Sequence, residues 1–74
     1  MKEIPAKLEK YLSILDDNNR KEKLQLFLSV YDKAKKADMH NARHWAMRQV
    51  LSERSINEIE KRFDKLLKKQ KVPQ

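Results

Sequence analysis

The chain has 74 residues, no cysteine, no glycine and two prolines, and its 18 lysines and arginines outnumber its 11 acidic residues to give a net charge of +7. Because glycine is absent, a P-loop or a dinucleotide-binding loop cannot form, and tight β-hairpin turns are disfavoured. Because cysteine is absent, the chain has no disulfide and no thiolate metal site. The chain is 39% hydrophobic, which suffices for a small core. We therefore expect one all-α domain, a small bundle of three to four short helices over residues 1–72, with a frayed tail at 73–74.

The location of the protein and the chemistry of its partners can be predicted from hydropathy and charge. The longest apolar run covers only residues 26–28, and Glu3 and Pro5 replace the apolar stretch of a signal peptide. We therefore predict a cytoplasmic protein. Its positive net charge favours a polyanionic partner: nucleic acid, anionic lipid or an acidic protein. Surface lysines also keep small proteins soluble, so the charge alone does not establish binding.

The first helix is predicted to start near Pro5, because proline lacks an N–H and suits the first helical position. It should end at residues 16–19, where Asn18 can adopt a left-handed backbone and Asn19 can cap the second helix in a capping box with Glu22. One apolar stripe at helical spacing should face the core: Ile4, Leu8, Tyr11, Leu12 and Leu15.

The second helix carries two apolar faces, which predicts a central position or contact with a second copy of the chain. A homodimer is therefore one expected assembly. The lysines near its end, at 33, 35 and 36, suit the negative end of the helix dipole. The main stripe is Leu24, Phe27, Leu28, Tyr31 and Ala34, and the adjacent face is Leu26, Val30 and Ala37.

A third helix is predicted over residues 39–51, capped by Asp38, and a break over residues 52–55. Ser55 followed by Glu58 forms a capping-box pattern, so a fourth helix should start at Ile56 and fray from Lys68 onward. The alternative is one continuous helix over residues 39–71. The apolar positions of the third helix are Met39, Ala42, Trp45, Ala46, Val50 and Leu51, and the inward positions of the fourth are Ile56, Ile59, Phe63, Leu66 and Leu67.

A short stretch of the third and fourth helices resembles the helix-turn-helix DNA-binding motif. Ala46 corresponds to the small residue at which the two helices of that family cross, and Leu51 to the apolar residue after the turn. Val50 stands where the family favours glycine, and Ile56 and Ile59 match the inward pair of the second helix. The resemblance covers residues 45–59, about a quarter of the chain.

The resemblance implies that the fourth helix enters the major groove of double-stranded DNA. Arginine and asparagine can read guanine and adenine, and lysines contact phosphates. The implied nucleic-acid-binding residues are Arg43, Arg48, Arg54, Asn57, Lys61, Arg62, Lys65, Lys68 and Lys69. Three carboxylates, Glu53, Glu58 and Glu60, oppose this interpretation. The structural alternative is an ordinary bundle helix with ion pairs such as Glu58–Arg62.

Other residue patterns give little support to catalysis or metal binding. His40 and His44 are spaced to share one helical face, but two ligands do not close a metal site. Trp45 has the spacing of a core residue, and no acid/base pair or nucleophile constellation is present. We therefore predict no enzyme activity, no cofactor and no metal.

The leading hypothesis from the sequence is a small, non-enzymatic DNA-binding regulatory protein of the helix-turn-helix type. The alternative is a protein-binding adaptor or inhibitor, which would capture an acidic protein through Trp45, Leu26 and Val30 on a helical surface. A weaker third hypothesis is attachment to anionic membrane through the last helix.

Overall fold

A computed structural model describes residues 4–70 as four α-helices, with no strand in that range. They are α1 (Ala6–Ser13), α2 (Asp17–Lys36), α3 (Ala42–Leu51) and α4 (Ile56–Gln70). The prediction of a small all-α bundle is confirmed. Residues 1–3 and 71–74, which include the predicted tail, lie outside the described residues, whereas Lys68 and Lys69 belong to α4 rather than to a frayed end.

The first helix starts close to the predicted position, but it ends at Ser13, before the predicted end at residues 16–19. Pro5 caps it with an extended backbone (φ −63°, ψ 151°), so that Ala6 is its first residue. Leu8 and Leu12 are buried, and the other stripe residues, Ile4, Tyr11 and Leu15, pack against the same core cluster. The spacing of apolar residues therefore identified the buried face of α1.

The start of α2 differs from the prediction. Asp16, rather than Asn19, is the N-cap, because its carboxylate accepts hydrogen bonds from the backbone N–H of Asn19 at 2.9 Å and from that residue's side-chain amide at 3.3 Å. Asn18 lies inside the helix and is not left-handed. A carboxylate three residues ahead of an N–H satisfies one of the donors that every helix start leaves unpaired.

Arg20 joins the end of α1 to the start of α2. Its guanidinium donates to the carbonyl oxygen of Leu12 at 3.1 Å and to that of Leu15 at 2.7 Å, and it pairs with the Asp17 carboxylate at 2.7 Å. The C-terminal carbonyls of a helix have no partner within the helix. One side chain therefore bonds to a carbonyl in the last turn of α1, to a carbonyl of the connection and to the first residue of α2, and it ties the two helices together.

The connection between α2 and α3 is longer than predicted. Asp38 has a left-handed backbone (φ 63°) and does not cap a helix, and Asn41, also left-handed (φ 56°), precedes the first residue of α3, Ala42. Asp and Asn adopt this conformation more readily than other residues with a Cβ. Two such residues form the bend, so α3 starts three positions later than expected.

The core consists of two clusters that share Trp45 at their edge. The larger contains Leu8, Leu12, Phe27, Val30, Ala46, Met47, Val50 and Ile59, and the smaller contains Ala34, Ala42 and Phe63. Both apolar faces of α2 contribute to these clusters. The pattern's first alternative, a central position for α2, is therefore confirmed, and the homodimer stays a prediction.

Two residues predicted to be in the core are exposed. Leu28 is 41% exposed because it lies about 100° around α2 from Phe27, on a side that α1 and α3 do not cover. Ile56 is 45% exposed because it stands in the first turn of α4, before the helix reaches the core at Ile59. Periodicity defines a face but not how much of it a neighbouring helix covers.

We expect Arg20→Met to lower the free energy of unfolding by about 1–2 kcal/mol, because it removes hydrogen bonds from a charged donor to the carbonyls of Leu12 and Leu15. Urea denaturation followed by circular dichroism measures this change. Lys21→Met is the matched control, since Lys21 is exposed, and it should shift stability by less than about 0.5 kcal/mol. Equal effects of the two substitutions would contradict the structural role of Arg20.

Candidate nucleic-acid interface

The chain turns a corner between α3 and α4, as the sequence predicted. Helix α3 ends at Leu51 and α4 begins at Ile56, so the continuous helix over residues 39–71 does not form. Glu53 carries the left-handed conformation (φ 57°) that makes the corner, and its N–H donates to the carbonyl of Val50 at 2.9 Å. Val50 itself remains helical and fully buried, so the left-handed residue stands three positions after the one at which the helix-turn-helix family has glycine.

The start of α4 is fixed by the predicted capping box. The backbone N–H of Glu58 donates to the Ser55 hydroxyl at 3.2 Å, and the backbone N–H of Ser55 donates to the Glu58 carboxylate at 3.0 Å. These reciprocal bonds satisfy two donors at the helix start. Glu58 is therefore engaged with Ser55, and the Glu58–Arg62 ion pair considered from the sequence is absent from the described residues.

Gln49 and Tyr11 support the corner from two sides. The buried Gln49 donates to the carbonyl of Trp45 at 3.2 Å and accepts from the Arg54 guanidinium at 3.4 Å. The Tyr11 hydroxyl donates to the Glu53 carboxylate at 3.2 Å. Arg54, predicted to point outward to bases, is thus half-buried and bonded within the corner. Sequence reasoning overlooked Gln49, because a polar residue in an apolar pattern gives no sign that it is buried.

Five cationic side chains form one exposed surface of α4. Lys61, Arg62, Lys65, Lys68 and Lys69 are all exposed and lie within less than half of the helix circumference, on a side turned away from the buried Ile59 and Phe63. We call these five residues the α4 basic face. They join Trp45 and Leu66 in lining an open groove of about 630 Å³.

Trp45 forms the α3 side of this groove. It is half-buried, and its ring centroid lies 6.0 Å from that of Phe63. Its core contacts agree with the prediction, while its remaining surface is accessible from the groove. Of the other two residues predicted to bind a protein partner, Leu26 is half-buried and Val30 is 4% exposed, so Val30 belongs to the core and offers no surface.

Four carboxylates lie nearest to the α4 basic face, and three of them have partners elsewhere. The fourth, Asp64, is exposed between Lys61 and Lys68 and forms no ion pair with them among the described residues. Glu60 lies 3.7 Å from the Lys33 ammonium of α2, which also stands 5.3 Å from the centre of the Phe63 ring. Glu53 accepts from Tyr11, and Glu58 belongs to the capping box. The described residues show no hydrogen bond or ion pair for the five cations of the basic face.

The other residues implied by the resemblance are spread over α3 and the start of α4. Arg43, Arg48 and Asn57 are exposed. Arg43 stands in the first turn of α3, where it lines a second, open concavity of about 420 Å³ together with Lys35 and His44. The structure therefore groups only the cations from Lys61 onward around the α4 groove.

The two histidines do not share a helical face. His40 lies in the turn before α3, whereas His44 lies within it. Their spacing of four residues predicted one face only on the assumption that the helix began at residue 39. Among residues 4–70, no group of three His, Asp or Glu side chains is placed to hold a metal ion.

These features define a small four-helix protein with a cationic groove between α3 and α4. Comparisons with protein-family models, with curated proteins and with solved structures found no match to this chain. Within the part of the chain that the structure describes, no helix is long and apolar enough to cross a membrane.

Burial, reinforced by the Glu53 carboxylate, raises the pKa of Tyr11 above its ordinary value of 10.0. The fold thus favours the neutral phenol of Tyr11. The stability that Tyr11 contributes is fully present below pH 10 and is lost as the pH rises through the raised pKa. We expect the stability advantage of the wild type over Tyr11→Phe to shrink between pH 9 and pH 11. Urea denaturation at several pH values measures it, and a constant difference would contradict this coupling.

Proposed function

We propose that the protein binds double-stranded DNA without catalysing a reaction on it, and that the α4 basic face is its main contact surface. The observation that carries this proposal is the grouping of five exposed cations along one side of one helix, with no carboxylate paired to them among the described residues. Cations placed in this way can neutralise phosphates and release the counterions that surround DNA, which supplies much of the affinity of basic proteins for duplexes.

The corner at residues 52–55 supports the proposal because it places α4 at the edge of the bundle. Only one side of α4 is used for packing, chiefly through Ile59 and Phe63. The opposite side is left for a ligand, as in proteins that present one helix to the major groove. A role in regulating transcription, of the helix-turn-helix type, is part of the same proposal. The exposed side chains near the start of α4 that could reach base edges are Asn57 and Lys61, with Arg43 and Arg48 as flanking contacts.

A second candidate function is binding of an acidic protein segment in the same groove. The accessible surface of Trp45 favours it, because tryptophan is enriched at the centre of protein interfaces. Leu66 adds apolar surface, and the surrounding cations would attract carboxylates. Polyglutamate distinguishes the two candidates: it should displace the ligand of an acid-binding adaptor readily, but compete poorly with duplex DNA of equal charge concentration.

We expect DNA binding to weaken steeply as salt rises. Five phosphate contacts predict a slope of about −4.5 in a plot of log affinity against log salt, and a loss of roughly 500-fold between 50 and 200 mM. The chain has a single tryptophan, Trp45, which lies in the groove, so its fluorescence reports on a titration with duplex DNA. A flat salt response would overturn the proposal.

Matched triple variants test whether the α4 basic face is the site. Lys61→Gln, Lys65→Gln and Lys68→Gln together should reduce the slope to about −1.8, because three phosphate contacts are lost. The control removes the same number of charges from exposed lysines of α1 and α2, as Lys7→Gln, Lys10→Gln and Lys21→Gln, and should leave the slope unchanged. Equal losses in both variants would mean that net charge, rather than this surface, is responsible.

A further inference from the structure

The groove beside α4 offers hydrogen-bond donors and apolar surface, but no acceptor side chain. Lysine, arginine and tryptophan side chains only donate, and leucine does neither. The groove is lined by Trp45, Leu66 and the α4 basic face, so this description covers every residue around it. Reading the amino groups of adenine and cytosine in the major groove requires acceptors, so these donors could address only the guanine and thymine oxygens and purine N7 atoms among the bases.

A phosphodiester backbone has the complementary chemistry. Its phosphate oxygens accept hydrogen bonds and carry the negative charge, while its sugars present apolar surface between them. From Lys61 to Lys69 the basic face extends about 12 Å along the helix axis, at 1.5 Å per residue. Several successive phosphates can therefore lie along it at once.

The first turn of α4 is poorly suited to reading bases. Glu58 lies on the same side of the helix as Lys61 and Lys65, since residues three and seven positions apart nearly align. Its carboxylate is held there by the backbone N–H of Ser55. Arg54, the other candidate near this turn, is half-buried and bonded to Gln49. The negative charge of Glu58 repels phosphates at this turn. Asn57 is then left without a neighbouring cation that would hold DNA close to it.

We infer that the groove between Trp45 and the α4 basic face is a site for the phosphodiester backbone, and that the protein binds duplex DNA without regard to base sequence. This inference rests on the DNA binding of the proposed function and replaces the base contacts suggested there for Asn57 and Lys61 with contacts to the backbone of any DNA duplex. The affinity then comes from the last three turns of α4, and the first turn adds no attractive contact.

The structure favours DNA over the phosphates of a lipid surface as the occupant. A helix that lies in a membrane interface buries its apolar side among the acyl chains. In α4 that side is already engaged, because Ile59 and Phe63 are buried against the other helices. Membrane attachment would require α4 to leave the bundle.

Selection from a pool of duplexes with randomised central positions tests the inference with the full chain. After several rounds of binding, the retained duplexes should show less than about threefold enrichment of any base at any position, whereas base-specific binding typically discriminates by a thousandfold or more over other sequences. Retention with an enriched motif overturns the inference and leaves the proposed function intact. Failure to retain any duplex at low salt overturns both.

Glu58→Gln provides an independent test at the first turn. Glutamine can keep the capping box, so the fold is preserved while a repelling charge is removed. We expect affinity for a random duplex to rise about two- to threefold at low salt, from the loss of a unit charge at roughly 8 Å from phosphate. Glu9→Gln, also in the first turn of a helix, is the matched control and should change nothing. A fall in affinity on Glu58→Gln would mean that the carboxylate contacts a base, and would overturn the inference.

Vesicles provide the remaining comparison. The protein should sediment with neither neutral phosphatidylcholine vesicles nor vesicles containing phosphatidylserine at the phosphate concentration and salt at which it binds duplex DNA. Sedimentation with the anionic vesicles at an affinity equal to or above that for DNA would overturn the assignment of DNA as the occupant.

Discussion

The left-handed backbone of Glu53 is the constraint on which the candidate site depends. If α3 continued straight into α4, Trp45 and Lys65 would lie about 30 Å apart along one rod, at 1.5 Å per residue. The corner instead brings both to the walls of one groove. The apolar and cationic parts of the site come from different helices, so neither helix alone would form it.

A chain without glycine has to make such corners with other residues, and the structure shows how it does so. Asp38 and Asn41 belong to the residue types that tolerate positive φ, whereas Glu53 does not. A left-handed residue with a long side chain costs roughly 1–2 kcal/mol. Contacts around the corner offset this cost: Tyr11 bonds to the Glu53 carboxylate, Gln49 to Arg54, and Ser55 to Glu58. The strained residue is therefore held in place by three separate parts of the fold.

The sequence predicted the helices and the corner more accurately than it predicted which apolar residues are buried. Apolar spacing and the Ser55–Glu58 pattern depend on local geometry, which a sequence shows directly. The capping-box pattern at Asn19 and Glu22 predicted the start of α2 three residues too late, because it does not show that α1 ends as early as Ser13 and leaves Asp16 free to cap the next helix. The exposure of Leu28 depends likewise on where neighbouring helices end. The exposure of the cations from Lys61 onward agrees with their spacing on the helix, whereas the partial burial of Arg54 was missed, because no spacing rule identifies its tertiary partner Gln49.

Placement of charge, rather than its total, distinguishes a binding surface from a merely soluble one. A net charge of +7 is compatible with either, because scattered lysines also keep a small protein in solution. In this chain two of the three acidic side chains of α4 have partners outside its basic face: Glu60 lies 3.7 Å from Lys33 of α2, and the capping box holds Glu58 against Ser55. A helix that served only as packing would gain nothing from this separation, since alternating charges along its exposed side would add stabilising pairs. Among the described residues Lys61, Lys65 and Lys68 form no such pairs, so their charges repel one another, and a polyanion lying along them would lower that repulsion.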